Sequence, residues 1–225
     1  LKFSGLRKTS LVDYPDRLAS VLFTPGCNLR CPYCHNWRIV IDPKPPFLND
    51  EVALRILDDR KRFVDAVVIT GGEPTIHKEL PKFLRRLKEN GFATKLDTNG
   101  LDPRALKDCL PYLDYVAMDV KTKISKYGKL GAEDASELAR TAEILKNDNV
   151  EYEFRTTVVP GFVGEEDIIE IGELVKGAKK LALQQFIPDD TLDENFRSLK
   201  PYSATTIQTL GERLKDYVEN IIIRT

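Results

Sequence analysis

The chain has 225 residues, 42% of them hydrophobic and 31% charged, the composition of an ordinary folded globular protein. Lys+Arg 34 against Asp+Glu 35 leave a formal net charge of -1, which excludes a global field able to hold nucleic acid or an anionic membrane. The longest apolar runs, such as 66–69 and 221–223, fall far short of the roughly 18 residues of a membrane-spanning helix, and residues 1–10 carry no apolar signal core, so a cytoplasmic protein is expected.

In chain order, β-rich runs ending at turn signals predict strands over 19–24, 66–70, 93–97, 115–119, 152–158 and 181–186. Between them, helical spacing predicts helices over 50–60, 80–90, 103–109, 135–147, 165–176 and 204–218. Asn49 or Asp50 can cap the first helix, Pro103 suits a first turn, and Asn90-Gly91 ends the second. A strand-helix order repeated in this way implies parallel strands joined by right-handed crossovers. Eight such units close a barrel of about 250 residues. Six leave it open. The expected fold is therefore α/β: one domain over 1–225, a partial (β/α)6 TIM-like barrel with a small N-terminal hairpin over 2–12 outside it. The proline-rich stretch 42–46 reads as a surface connection.

Three of the four cysteines crowd into eight positions, in TPGCNLRCPYCHN directly after the first strand: Cys27, Cys31 and Cys34. A CxxxCxxC spacing on one loop can wrap three thiolates around a single centre, because loop backbone curls where a helix cannot. On a four-iron cluster this leaves one iron open to an exogenous molecule. The alternative is zinc, but structural zinc wants four protein ligands, and the one nearby candidate, His35, is adjacent to Cys34 and poorly placed to share its ion. Cys109, remote from this loop, reads as an inert core thiol.

CNLRCPYC resembles the CxxxCx-aromatic-C signature of radical S-adenosylmethionine (SAM) enzymes, with Tyr33 as the aromatic. Gly71-Gly72-Glu73-Pro74, Asp97-Thr98-Asn99-Gly100, Asp119-Val120-Lys121 and Arg155 followed by Val159-Pro160-Gly161 are similar to further motifs of the glycyl-radical-enzyme activases. The opening GLRKTSLVDYP and the cysteine loop most resemble anaerobic ribonucleoside-triphosphate reductase activating proteins, relatives of pyruvate formate-lyase activating enzyme. The resemblance covers most of the chain and is weakest after about residue 195.

It implies an enzyme that reductively cleaves SAM at a [4Fe-4S] cluster held by Cys27, Cys31 and Cys34 and abstracts a hydrogen from a glycine of a partner, fed by a flavodoxin or ferredoxin-type electron donor. Gly71, Gly72 and Glu73 are expected to receive the SAM ammonium, and Asp97, Thr98 and Asp119 to support the ribose or a monovalent cation, with the carbonyl of Ala117 nearby. Lys121 and Arg155 are expected to face the SAM carboxylate or ribose region; Tyr33 and Trp37 to shield cluster and adenine; His35 to shape the loop. Gln185 stands where related activases place a SAM-contacting His. The competing functions are radical chemistry on a small molecule, activation of another glycyl radical enzyme such as pyruvate formate-lyase, and a non-catalytic zinc module.

Overall fold

The structure, a computed structural model, describes residues 1–225. Its elements run β1 (Lys2–Phe3), β2 (Gly5–Ser10), β3 (Ala19–Thr24), α1 (Trp37–Ile41), β4 (Leu48–Asn49), α2 (Asp50–Asp59), β5 (Ala66–Gly71), α3 (Leu80–Glu89), β6 (Ala93–Thr98), α4 (Pro103–Cys109), β7 (Tyr115–Asp119), α5 (Leu138–Asn147), β8 (Glu151–Val158), α6 (Glu165–Leu174), β9 (Ala178–Gln185), α7 (Ala204–Glu212) and β10 (Val218–Arg224). One sheet carries the order β10-β9-β8-β7-β6-β5-β3-β2, and β1 pairs separately with β4. The β3–β5, β5–β6, β8–β9 and β9–β10 ladders are parallel. Each of these strands is followed by a helix before the next, as βαβ connectivity demands.

Three features depart from the sequence expectation. The N-terminal antiparallel element is present, but its partners are distant: Lys2 and Phe3 face Asn49 and Leu48, and β2 pairs with β3 at the edge of the main sheet. The helix expected over 204–218 stops at Glu212, and Val218 opens an additional strand, β10. The helix expected from residue 135 starts at Leu138, because Ser136 first forms a turn, its N–H and hydroxyl both donating to Asp134.

By contact the chain divides into two compact units, interleaved in sequence: Leu1–Asn28 with Asn36–Thr98 and Arg104–Val116, and Leu29–His35 with Asn99–Pro103 and Ala117–Thr225. In the first, Val67, Val68 and Ile69 of β5 are fully buried, the pattern of a strand covered on both faces. Leu80, Phe83, Leu84 and Leu87 line one face of α3 at i, i+3, i+4, i+7, and Phe83 meets Phe3 at 5.0 Å between ring centroids. Asn49 caps α2 by accepting from the Val52 N–H at 2.9 Å. In the second, Phe154, Leu181, Ala182 and Leu183 form a buried seam, with Phe154 in register with Leu181.

Candidate active site

The first unit builds a tight junction between the segment leading into Cys27 and the GGEP turn. Parallel register sets Thr24 beside Gly71 at the ends of β3 and β5. There the Gly72 N–H donates to Thr24 O and the Glu73 N–H to Gly26 O, both at 2.9 Å. The glycines are required by this approach. A Cβ on Gly72 would lie 1.7 Å from Gly26 O, and one on Gly71, at φ +113, 2.6 Å from Thr24 N. Two side chains that sequence reasoning did not place in this role reinforce the junction: Asn36 Nδ2 donates to Gly71 O at 2.8 Å, and His77 Nε2 bonds Pro25 O at 2.9 Å.

Glu73 is 1% exposed, and its Oε1 accepts from the Thr75 N–H (3.1 Å), the Thr75 hydroxyl (2.6 Å) and the Thr98 hydroxyl (2.7 Å). This carboxylate links the ends of β5 and β6, a role absent from the motif reading. Asp97 Oδ1 accepts from the buried Lys95 ammonium at 2.8 Å, and Lys95 also donates to Asp13 O at 2.6 Å. Lys95 was missed in the sequence. The available signal was its i−2 position in the strand, which puts it on the Asp97 face.

In the second unit Asp119 joins two cations. Arg155 Nε donates to Asp119 Oδ1 at 2.8 Å and Lys121 Nζ to Oδ2 at 3.2 Å. Burial alone would raise the Asp119 carboxyl, but Arg155 and Lys121 outweigh it and hold it at about 2. Burial likewise opposes the Lys121 charge, yet Asp119 above all keeps this ammonium well above its ordinary range. Asp97 and Asp119 thus each have a protein cation as partner.

The cysteine loop of this unit is pinned at three points. The Arg30 N–H donates to Leu130 O at 2.6 Å, the Asp193 N–H to Pro32 O at 2.8 Å, and His35 Nε2 bonds Ile187 O at 3.0 Å. The Cys34 N–H closes a turn on Cys31 O at 3.1 Å. Burial pushes the Cys31 thiol up, and Lys121 pulls it partly back. The Tyr33 ring meets Phe162 edge-on at 5.6 Å and Phe186 at 6.5 Å, with Phe196 tilted at 6.3 Å. Gln185 Nε2 donates to Tyr202 O at 3.1 Å and Phe186 O at 3.4 Å, so its amide nitrogen serves the chain itself. A separate cleft of about 440 Å³, bordered by Gly164, Glu165, Tyr202, Ser203 and Thr206, contains none of the expected site residues.

None of the four cysteines is in a disulfide; Cys109 is buried in α4. Cys27, Cys31 and Cys34 lie on non-helical backbone, a donor set that suits an iron–sulfur cluster. It suits structural zinc less, because that ion wants four protein ligands and His35, the one nearby candidate for the fourth, is adjacent to Cys34 in the chain. No three His, Cys, Asp or Glu side chains are gathered around one point, so this fit is one of donor chemistry.

The radical SAM superfamily profile matches residues 21–175, from β3 through α6. Over 231 aligned residues the chain is 38% identical to a Methanocaldococcus jannaschii protein provisionally named a glycyl-radical enzyme activating enzyme, covering 99% of this chain and 95% of that one. It is 30% identical over 194 residues to the pyruvate formate-lyase-activating enzyme of Staphylococcus aureus, covering 79% and 76% of the two chains. Among solved structures, QueE from Escherichia coli matches with a TM-score of 0.60 at 20% identity, over 100% of this chain and 93% of that one. TYW1 with a lysine-pyruvate adduct bound matches with a TM-score of 0.64 at 19% identity, over 88% and 73%. At these identities the structural matches speak for the fold.

Proposed function

Because the chain belongs to the radical SAM superfamily and, within it, to the glycyl-radical-enzyme activating enzymes, we propose that it generates a glycyl radical on anaerobic ribonucleoside-triphosphate reductase, acting in the cytoplasm as one catalytic domain. The observation that carries the activating-enzyme part of the reading is the 38% identity, over 99% of this chain, to a protein provisionally named a glycyl-radical enzyme activating enzyme. The opening GLRKTSLVDYP and the loop TPGCNLRCPYCHN favour the reductase as partner. Glycine suits the target role, since it has no side chain to shield its Cα.

When bound, the [4Fe-4S] cluster supplies the electron that splits SAM into methionine and a 5′-deoxyadenosyl radical. The chain's residues bind, orient and exclude water. Cys27, Cys31 and Cys34 hold the cluster. Asp119, Lys121 and Arg155 together carry one more positive than negative charge, which suits the SAM carboxylate while Asp119 serves the ribose. The Thr24–Gly72 and Gly26–Glu73 hydrogen bonds fix the approach to Cys27, and Glu73, held by Thr75 and Thr98, keeps that junction rigid. Asp97, oriented by Lys95, is the second carboxylate assigned to the ribose. Gln185, anchored at Tyr202 O through its Nε2, takes the place of the SAM-contacting His of related activases. A flavodoxin or ferredoxin-type protein supplies electrons.

A second reading, activation of pyruvate formate-lyase, is favoured by the 30% identity to the Staphylococcus aureus enzyme. Incubating the reduced protein and SAM with each candidate in turn separates the two. A glycyl-radical doublet in electron paramagnetic resonance on the reductase alone supports the proposal; a doublet on pyruvate formate-lyase alone transfers the assignment.

A further inference from the structure

Lys95 carries a charge in the closed interior of a strand. Its side chain is 3% exposed, and Val68, in register with it on β5, is fully buried. Burying an ammonium costs free energy unless acceptors meet it. Two do: Asp97 Oδ1 at 2.8 Å and the main-chain oxygen of Asp13 at 2.6 Å. The Tyr115 ring lies beside the ammonium, its centroid 5.9 Å from Nζ, and the Tyr14 ring meets Tyr115 at 6.0 Å. A buried ion pair is often replaced by well-packed apolar side chains with no loss of stability. The charge is therefore explained by what it joins.

At one end is a site carboxylate, and at the other the SLVDYP segment, which has no part in the chemistry described above. Its turn is built to present one carbonyl. Ser10 Oγ accepts the Val12 and Asp13 N–H groups, both at 3.3 Å. The Asp13 side chain pairs with Arg7 at 3.5 Å, so the main-chain oxygen is the atom that reaches Lys95. Leu11 and Val12, 77% and 85% exposed, anchor the turn little. The Ser10 hydroxyl, the Tyr14 ring and Lys95 therefore set where the carbonyl sits. Resting on the assignment of Asp97 to the SAM ribose above, we propose that Lys95 is a positioning residue that couples the Ser10–Tyr14 turn to SAM binding. The Asp13 carbonyl aims the ammonium, and the ammonium aims the Asp97 carboxylate at the ribose hydroxyls.

A double-mutant cycle tests this on the reconstituted full chain, with iron counted in every protein. Equilibrium binding is measured for SAM and for a SAM analogue lacking both ribose hydroxyls. Lys95→Met should weaken SAM about tenfold, the scale of one charge-assisted hydrogen bond, and leave the analogue unchanged. Ser10→Ala should weaken SAM about threefold in the wild-type background and not at all in Lys95→Met, because the contact that carries its effect is gone. If Lys95→Met does not fold, Ser10→Ala still decides, by a loss on SAM that is absent on the analogue. Additive losses in the cycle, equal losses on SAM and analogue, or no loss in either variant overturn the coupling alone. A wild-type chain that binds SAM and the analogue equally overturns the ribose assignment and the proposal with it; one that loads iron and binds no SAM overturns the SAM reading itself.

Discussion

Gly72→Ala isolates the junction that leads into the cysteine loop. The new Cβ would be placed 1.7 Å from Gly26 O and 2.6 Å from Gly26 C. Ordinary van der Waals contact begins near 3.4 Å, so backbone must move by more than an ångström, and no flexible side chain is there to give way. That displacement breaks the Glu73 N–H to Gly26 O and Gly72 N–H to Thr24 O bonds, both 2.9 Å. Two backbone hydrogen bonds lost in a part-buried turn, with donors left poorly satisfied, cost about 2–4 kcal/mol. For a chain of this length that lowers Tm by about 5–15 °C. Thermal unfolding followed by circular dichroism measures it, with iron content after reconstitution as the functional counterpart, expected to fall because the approach to Cys27 is displaced. Gly128→Ala is the control: a Cβ there meets nothing within 4 Å. A Gly72→Ala protein with the Tm and iron content of wild type would refute the junction as the device that sets the loop.

Arg155→Met leaves Asp119 with Lys121 as its remaining partner among the two cations; stability should fall by about 2 kcal/mol, discounted for partial exposure, and SAM affinity should fall in equilibrium binding. Asp119, depressed from 3.8 to about 2, contributes about 2 kcal/mol that is fully present above pH ~4 and lost as pH falls toward 2. Acid titrations of stability should therefore diverge between wild type and Asp119→Asn above that window and converge below it; parallel curves would remove the Asp119 pairing. Cys27→Ala, Cys31→Ala and Cys34→Ala should each abolish iron binding after anaerobic reconstitution. Cys109→Ala should retain full iron and lose about 1 kcal/mol of stability, and stoichiometric zinc in place of iron would end the cluster reading.

Strand periodicity located β3 and β7 to the residue, because their apolar runs end at sharp turn signals. The C-terminal end was misread for a physical reason. Ile207, Leu210, Leu214 and Val218 repeat at helical spacing and all four are buried, but Leu214 lies in a turn and Val218 begins β10. Burial was legible there; the element that delivers it was not. The β1–β4 pairing joins residues far apart in sequence, beyond any local pattern. Within the candidate site, motif residues were visible one by one, whereas their partners were not. Asn36 reaching Gly71, His77 reaching Pro25 and the Phe162–Phe186–Phe196 surroundings of Tyr33 come from separate loops that only the fold brings near. Lys95 beside Asp97 was the readable exception, since two residues along a strand share a face.

Hydrogen transfer from the partner glycine tests the central claim most directly. Anaerobic ribonucleoside-triphosphate reductase carrying deuterium at its glycine Cα atoms, incubated with the reduced protein and SAM, should pass the label into 5′-deoxyadenosine, and the glycyl-radical doublet of the protiated reductase should collapse. SAM cleaved to unlabelled 5′-deoxyadenosine with no radical on the reductase would contradict the proposed activation.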